Sequence, residues 1–211
     1  MFKTGTGFFI SDRGHIATCF HVLEHNNNTA PAVLIDQPAT KSQWKGQFIS
    51  ADPSKDICII KAECPASVAL DLGSYSSAEE GDDVAFLGFP LGISNLTTHR
   101  GIISAKGLGV FPEYDFNVLQ LDASVNMGNS GGPLIHISTR QVVGVVSAKL
   151  INIDPQLRQL SQLQPGARMT IGGIDPVAAI QAVIKQIEDR LQLGIGYAIP
   201  TDYLKSLIAK Q

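Results

Sequence analysis

Charge is scarce in this sequence. Only 17% of the 211 residues are Asp, Glu, Lys or Arg, against about 25% in ordinary soluble domains. The formal net charge is −3 and no dense Lys/Arg cluster occurs, which leaves no electrostatic footprint for nucleic acid or for an anionic membrane surface. Cysteine is rare as well. Cys19, Cys58 and Cys64 cannot all pair, and their surroundings contain neither a CxxC motif nor metal-ligand spacing, so they read as reduced thiols without a disulfide framework. No metal or cofactor is implied. No segment reaches the roughly 20 apolar residues that span a bilayer, and the opening MFKTGTGFFI lacks the long apolar core and cleavage pattern of a signal peptide. A soluble chain without membrane insertion is therefore expected, and the missing leader and disulfide pattern slightly favour the cytoplasm.

Apolar residues, by contrast, make up 44% of the chain, enough for a substantial core in a chain of this length. Over the first 150 positions they come as short β-branched and aromatic runs, among them GFFIS, HIATCFHV, DICIIKAE, DVAFLGFP and QVVGVVSAK. Turn residues such as Asp12-Arg13-Gly14 and Asp52-Pro53-Ser54-Lys55 separate them, the pattern of an all-β barrel or sandwich. A polar seam near 71–81 divides the strands into two β units, 1–75 and 76–211. From Ile151 onward the texture changes. Asp154-Pro155 and Asp175-Pro176 each place an N-cap before a proline at the first helical position, predicting helices at 155–163 and 176–191. The second carries an apolar stripe of Val177, Ile180, Ile184, Ile187 and Leu191. A last helix, 201–210, puts Tyr203, Leu204, Leu207 and Ile208 on one face.

The chemistry concentrates in GNSGGPL at 128–134. A serine between glycines can expose its hydroxyl while nearby backbone N–H groups converge on one point, as amide hydrolysis requires. Gly128 and Ser130 would supply the N–H groups of an oxyanion hole, with Asn129 shaping the turn between them. His21 closes one apolar run and Asp56 opens another. Each alone reads as a packed or turn residue. Together they stand in the order His, Asp, Ser, with separations of 35 and 74 residues, and these residue types suit a general base, an orienting carboxylate and a nucleophile.

GTGFFISDRGHIATCFHV, DPSKDICIIK and DASVNMGNSGGPL, in that order, resemble the histidine, aspartate and serine blocks of the HtrA/Deg-type trypsin-like serine proteases, and GIGYAIPTDYLKSLI resembles the stretch that closes their protease domain. The resemblance implies two six-stranded barrels with His21, Asp56 and Ser130 in the cleft between them, acting on protein or peptide substrates. It implies that GVVSAK, which carries Val146, Ser147, Ala148 and Lys149, binds substrate backbone, with Ser147 donating to Asp56. Ser124 takes the place of the specificity-pocket floor. No acid stands there to select Lys or Arg, and Val146 stands where glutamate-selecting relatives place a histidine, which leaves small or medium apolar side chains. The segment 150–193 is longer than the family's usual loop and reads as a helical insertion that could meet a regulator or mediate self-association. Only four residues precede Gly5, where relatives have one or two further strands. A catalytically silent peptide-binding module is the competing reading.

Overall fold

The computed structural model describes residues 4–25, 28–29, 33–65, 67–90, 94–107, 115–148, 159, 163, 175–190 and 194–210. The first apolar runs form β1 (Phe8–Phe9), β2 (His15–Cys19), β3 (Glu24–His25), β4 (Asn28–Thr29), β5 (Val33–Gln37), β6 (Ser42–Asp52) and β7 (Ile57–Ala62). After the seam come β8 (Asp83–Gly88), β9 (Thr97–Gly107), β10 (Val118–Asp122), β11 (Pro133–His136), β12 (Val142–Val146) and β13 (Ile195–Pro200). The second set closes into a barrel in the order β10-β13-β12-β11-β8-β9. Among the described residues the first set forms a barrel-like sheet of five strands, β1-β2-β7-β6-β5, with β3 and β4 paired apart from it, so the expected two-barrel fold is present with five rather than six strands in its first half. With β1 only two residues long, one edge of this sheet has little backbone with which to reach β5 and close the circle.

Strand β7 shows how side-chain alternation builds the core. Cys58, Ile60 and Ala62 pack with Ile16 and Leu23 inside the first sheet. Their neighbours Ile57 and Ile59 point the other way, into a cluster with Val118, Val145, Ile199 and Leu204 of the second half. A strand in contact on both faces needs the near-continuous apolar run ICIIKA rather than strict alternation, and each of its buried isoleucines contributes about 1.5–3 kcal/mol. Every residue of β12 is buried as well.

The chain divides into one unit of Met1–Leu150 with Gly194–Gln211 and a second of Ile151–Leu193. In the second, Asp175 accepts from the Val177 N–H at 2.8 Å, and the helix it caps runs over Pro176–Arg190. Ile184 is buried while Ile180 and Val183 are exposed; the side chain of Ile187, all of Leu191 and nearly all of the 155–163 segment lie outside the described residues. The last helix covers Thr201–Ile208, with Leu204 and Leu207 buried and Ile208 largely exposed. Thr201 Oγ1 donates to the Gly73 carbonyl at 3.0 Å, and Asp202 accepts from Ser74 Oγ at 2.8 Å. These bonds tie the seam to the end of the chain.

Candidate active site

Register decides where the first two site residues meet. In the antiparallel pair β2–β7, Cys19 faces Ile57, so the residues just after β2 lie beside the residue just before β7. The Phe20 N–H donates to the Asp56 carbonyl at 3.1 Å, and the chain leaves the sheet there. His21 consequently sits in a short helix, Phe20–Leu23, rather than at the end of a strand. Asp52 caps the turn Pro53–Lys55 by accepting from the Ser54 and Lys55 N–H groups. Asp56 follows in a left-handed conformation, φ 53°, a region that Asp tolerates better than most residues.

The Asp56 carboxylate receives three donors. The His21 backbone N–H donates to Oδ1 at 2.8 Å, His21 Nδ1 lies 2.7 Å from Oδ2, and Ser147 Oγ donates to Oδ2 at 2.9 Å. Burial by itself raises the Asp56 pKa, but the bonds from His21 and Ser147 and the His21 charge outweigh it and hold the group below the ordinary carboxylate range. The carboxylate thus stays ionised and aligned with the imidazole.

Ser130 lies in the loop between β10 and β11 and is buried. Gly131 N–H donates to the Val146 carbonyl at 2.8 Å and Val146 N–H to the Gly132 carbonyl at 2.9 Å, which clamps the loop onto β12 and brings Ser147 level with the serine. Ser130 Oγ accepts from the Ala148 N–H at 3.1 Å. Gly128 has φ +96°, and a Cβ there would stand 2.2 Å from the Phe89 carbonyl oxygen, so only glycine fits. Among the described residues the N–H groups of Gly128 and Ser130 have no protein acceptor. Asn129 contributes through its backbone, donating to the Asn126 carbonyl at 3.0 Å, while both polar atoms of its buried side chain are without a partner among the described residues. Ser124 is half-buried and Val146 fully buried; Lys149 lies outside the described residues.

Sequence reasoning overlooked Thr6, which bonds to both Gly128 and Ser130. It stands in the quoted run GTGF, but nothing local to that run shows a contact more than 120 positions away. Cys19 likewise reads in the sequence only as a thiol. Its Sγ groups with donor atoms of His21 and Asp56, all within 4.8 Å of one another. Burial and the Asp56 charge push the Cys19 thiol well above its usual range, so it holds its proton and offers a metal no ready thiolate. His136, on β11, is buried, and its Nε2 lies 2.9 Å from Asp82 Oδ2.

Residues 5–145 match the family model of the trypsin-like peptidase domain. The chain belongs to the trypsin-like peptidase family. A probable periplasmic serine endoprotease, DegP-like, from Pseudomonas fluorescens is 31% identical over 201 residues, 90% of this chain and 40% of that protein. The magnetosome formation protease MamE of Paramagnetospirillum magneticum is 36% identical over 68% of this chain and 20% of its own. Among solved structures, the HtrA-type protease AlgW with a tripeptide superposes with a TM-score of 0.68 at 23% identity, over 98% of this chain and 55% of that one. At that identity the likeness concerns the trypsin-like fold alone. The peptidase chain thus spans 20–40% of the length of these curated relatives and about half of the solved chain.

The relatives correct one expectation. Proteins from Bartonella henselae and Pseudomonas fluorescens, 35% and 31% identical to this chain, are named as periplasmic endoproteases, which points away from the cytoplasm and toward a periplasmic or secreted location. The cysteine argument fails for a physical reason. Cys19 and Cys58 are buried, and a buried thiol stays unpaired in an oxidising compartment because neither oxidant nor partner thiol reaches it. Among the described residues no helix is long and apolar enough to cross a membrane.

Proposed function

We propose that this chain is a serine endopeptidase domain that cleaves peptide bonds through an acyl-enzyme. His21 takes the Ser130 hydroxyl proton as Ser130 Oγ bonds to the scissile carbonyl carbon. The carbonyl oxygen becomes an oxyanion facing the N–H groups of Gly128 and Ser130. Collapse of the intermediate expels the amine, which leaves with the proton from His21. Water then attacks the acyl-enzyme by the same route and restores Ser130. Asp56 keeps the imidazole oriented and stabilises its charged form, and Ser147 steadies Asp56. The observation that carries this reading is the Asp56 carboxylate, ionised and bonded at once to the ring and backbone of His21 and to Ser147.

Peptides are the proposed substrates, in keeping with the HtrA-type protease structures that hold a tripeptide and a decapeptide. Ser124 and Val146 place no charge in the pocket, which supports cleavage after small or medium apolar residues. Residues 144–149 would hold the substrate backbone. Each half, 1–75 and 76–211, contributes part of the machinery, the first His21 and Asp56, the second Ser130. Exposed Ile180 and Val183 support a contact of the 150–193 insertion with a regulator or a second copy. The names of the relatives support a periplasmic or secreted location.

A fluorophosphonate probe with adduct mapping by mass spectrometry tests the reading. The expected adduct is on Ser130, and Ser130→Ala should lose nearly all turnover, on the order of 10⁶-fold, while remaining folded. A folded protein that takes no label and cleaves no peptide would instead be a silent binding module.

A further inference from the structure

We infer that Thr6, in the segment leading into β1, is a positioning residue that sets the oxyanion hole. The inference rests on the reading of Ser130 as nucleophile. Thr6 is 4% exposed, and all its polar groups are engaged in or beside the serine loop. Its N–H donates to the Ser130 carbonyl at 2.8 Å. Its own carbonyl accepts from Thr18 Oγ1 at 2.7 Å. Its hydroxyl donates to the Gly128 carbonyl at 2.6 Å and accepts from the Phe89 N–H at 3.1 Å. With a donor on one side and an acceptor on the other, the hydroxyl has one rotor setting.

The consequence falls on the peptide joining Gly128 to Asn129. Its carbonyl is held by Thr6 and its N–H by the Asn126 carbonyl, so the peptide cannot turn over without breaking two bonds. The N–H groups on either side, those of Gly128 and Ser130, are the ones that would hold the oxyanion. Gly128 cannot fix its own orientation, because glycine at φ +96° has little intrinsic preference between positive and negative φ. Asn129 does not fix it through its side chain either, since both amide atoms are without a partner among the described residues. Thr6 supplies the missing constraint from the other half of the fold. A hydroxyl is required; shape alone is not enough.

Thr6→Val keeps the branched shape and both backbone bonds but removes the hydroxyl, whereas Thr6→Ser keeps the hydroxyl. We expect Thr6→Val to lower kcat about 10- to 100-fold, short of the 10²–10³ lost when an oxyanion donor is deleted outright, with KM changed less than about threefold. Affinity for a peptidyl boronate, whose tetrahedral adduct places an oxygen in the hole, should fall by the same factor as kcat. Thr6→Ser should retain turnover within about threefold. Thr6→Cys, which offers only a weak donor, should lie between and serves if Thr6→Val does not fold. An active wild type together with folded Thr6→Val or Thr6→Cys variants of unchanged kcat and boronate affinity overturns the inference alone, as does a Thr6→Ser loss as large as that of Thr6→Val. A wild type with neither turnover nor a Ser130 adduct overturns the functional reading and this inference with it.

Discussion

Gly131 and Gly81 form a matched pair that isolates what close packing contributes behind Ser130. Both have positive φ, +88° and +92°, so replacing either by alanine forces an L side chain into the left-handed region at about 1–2 kcal/mol. Their surroundings differ sharply. A Cβ on Gly81 meets nothing within 4 Å, whereas one on Gly131 would stand 2.1 Å from the Thr6 carbonyl oxygen and 2.3 Å from Thr18 Oγ1. Those two atoms share a 2.7 Å hydrogen bond, and neither is the free end of a flexible chain. Overpacking of this kind adds about 1–3 kcal/mol, so Gly131→Ala should be destabilised by roughly 2–5 kcal/mol and Gly81→Ala by only 1–2. Urea unfolding of the two variants measures the difference, and peptidase activity should fall in Gly131→Ala while Gly81→Ala keeps the wild-type rate. Equal destabilisation by both substitutions would refute the argument that the serine loop is locked against Thr6 and Thr18.

Ser147→Ala removes a hydrogen bond to a charged carboxylate, worth about 1.5–3 kcal/mol, and should lower kcat about 10- to 150-fold in steady-state peptide assays; an unchanged kcat would mean that His21 alone orients Asp56. Burial, reinforced by the Asp56 charge, lifts Cys58 to about 12 and Cys19 well above its usual range, so both should resist iodoacetamide at pH 8. Mass spectrometry should find a single adduct on native protein, at half-buried Cys64, and three in guanidinium. The lowered pKa of Asp56 means that its stabilising contribution is complete above the unfolded value of about 3.9 and is lost as pH falls through the still lower folded value. Thermal melts of Asp56→Asn should therefore lose less stability than wild type between about pH 5 and pH 3, and parallel curves would count against that shift.

Local chemistry was legible where the cause is local. Asp175-Pro176 announced a helix because an N-cap side chain and a proline act within one turn, and the helix Pro176–Arg190 starts there. The apolar run ICIIKA announced a strand, Ile57–Ala62, but only the packing shows that both of its faces are covered. The end of β2 was less legible: HIATCFHV reads as one strand, but the bond from Phe20 N–H to the Asp56 carbonyl turns His21 out of the sheet. That bond comes from 36 positions away, beyond the reach of any periodicity.

The same division holds for the site. By itself the sequence determined residue types and order: a serine among glycines, a histidine and an aspartate after and before apolar runs, and no pocket charge at Ser124 or Val146. Glycine was dictated at 128 and 131 by backbone conformations that no other residue adopts cheaply. Only the tertiary structure decided that Asp56 carries three donors, that the Asn129 amide has no partner among the described residues, and that Thr6 reaches Gly128 across 122 positions. Hydrogen bonds of this kind depend on strand register and barrel packing, which place distant backbone atoms within 3 Å of one another without leaving any pattern in the neighbouring residues.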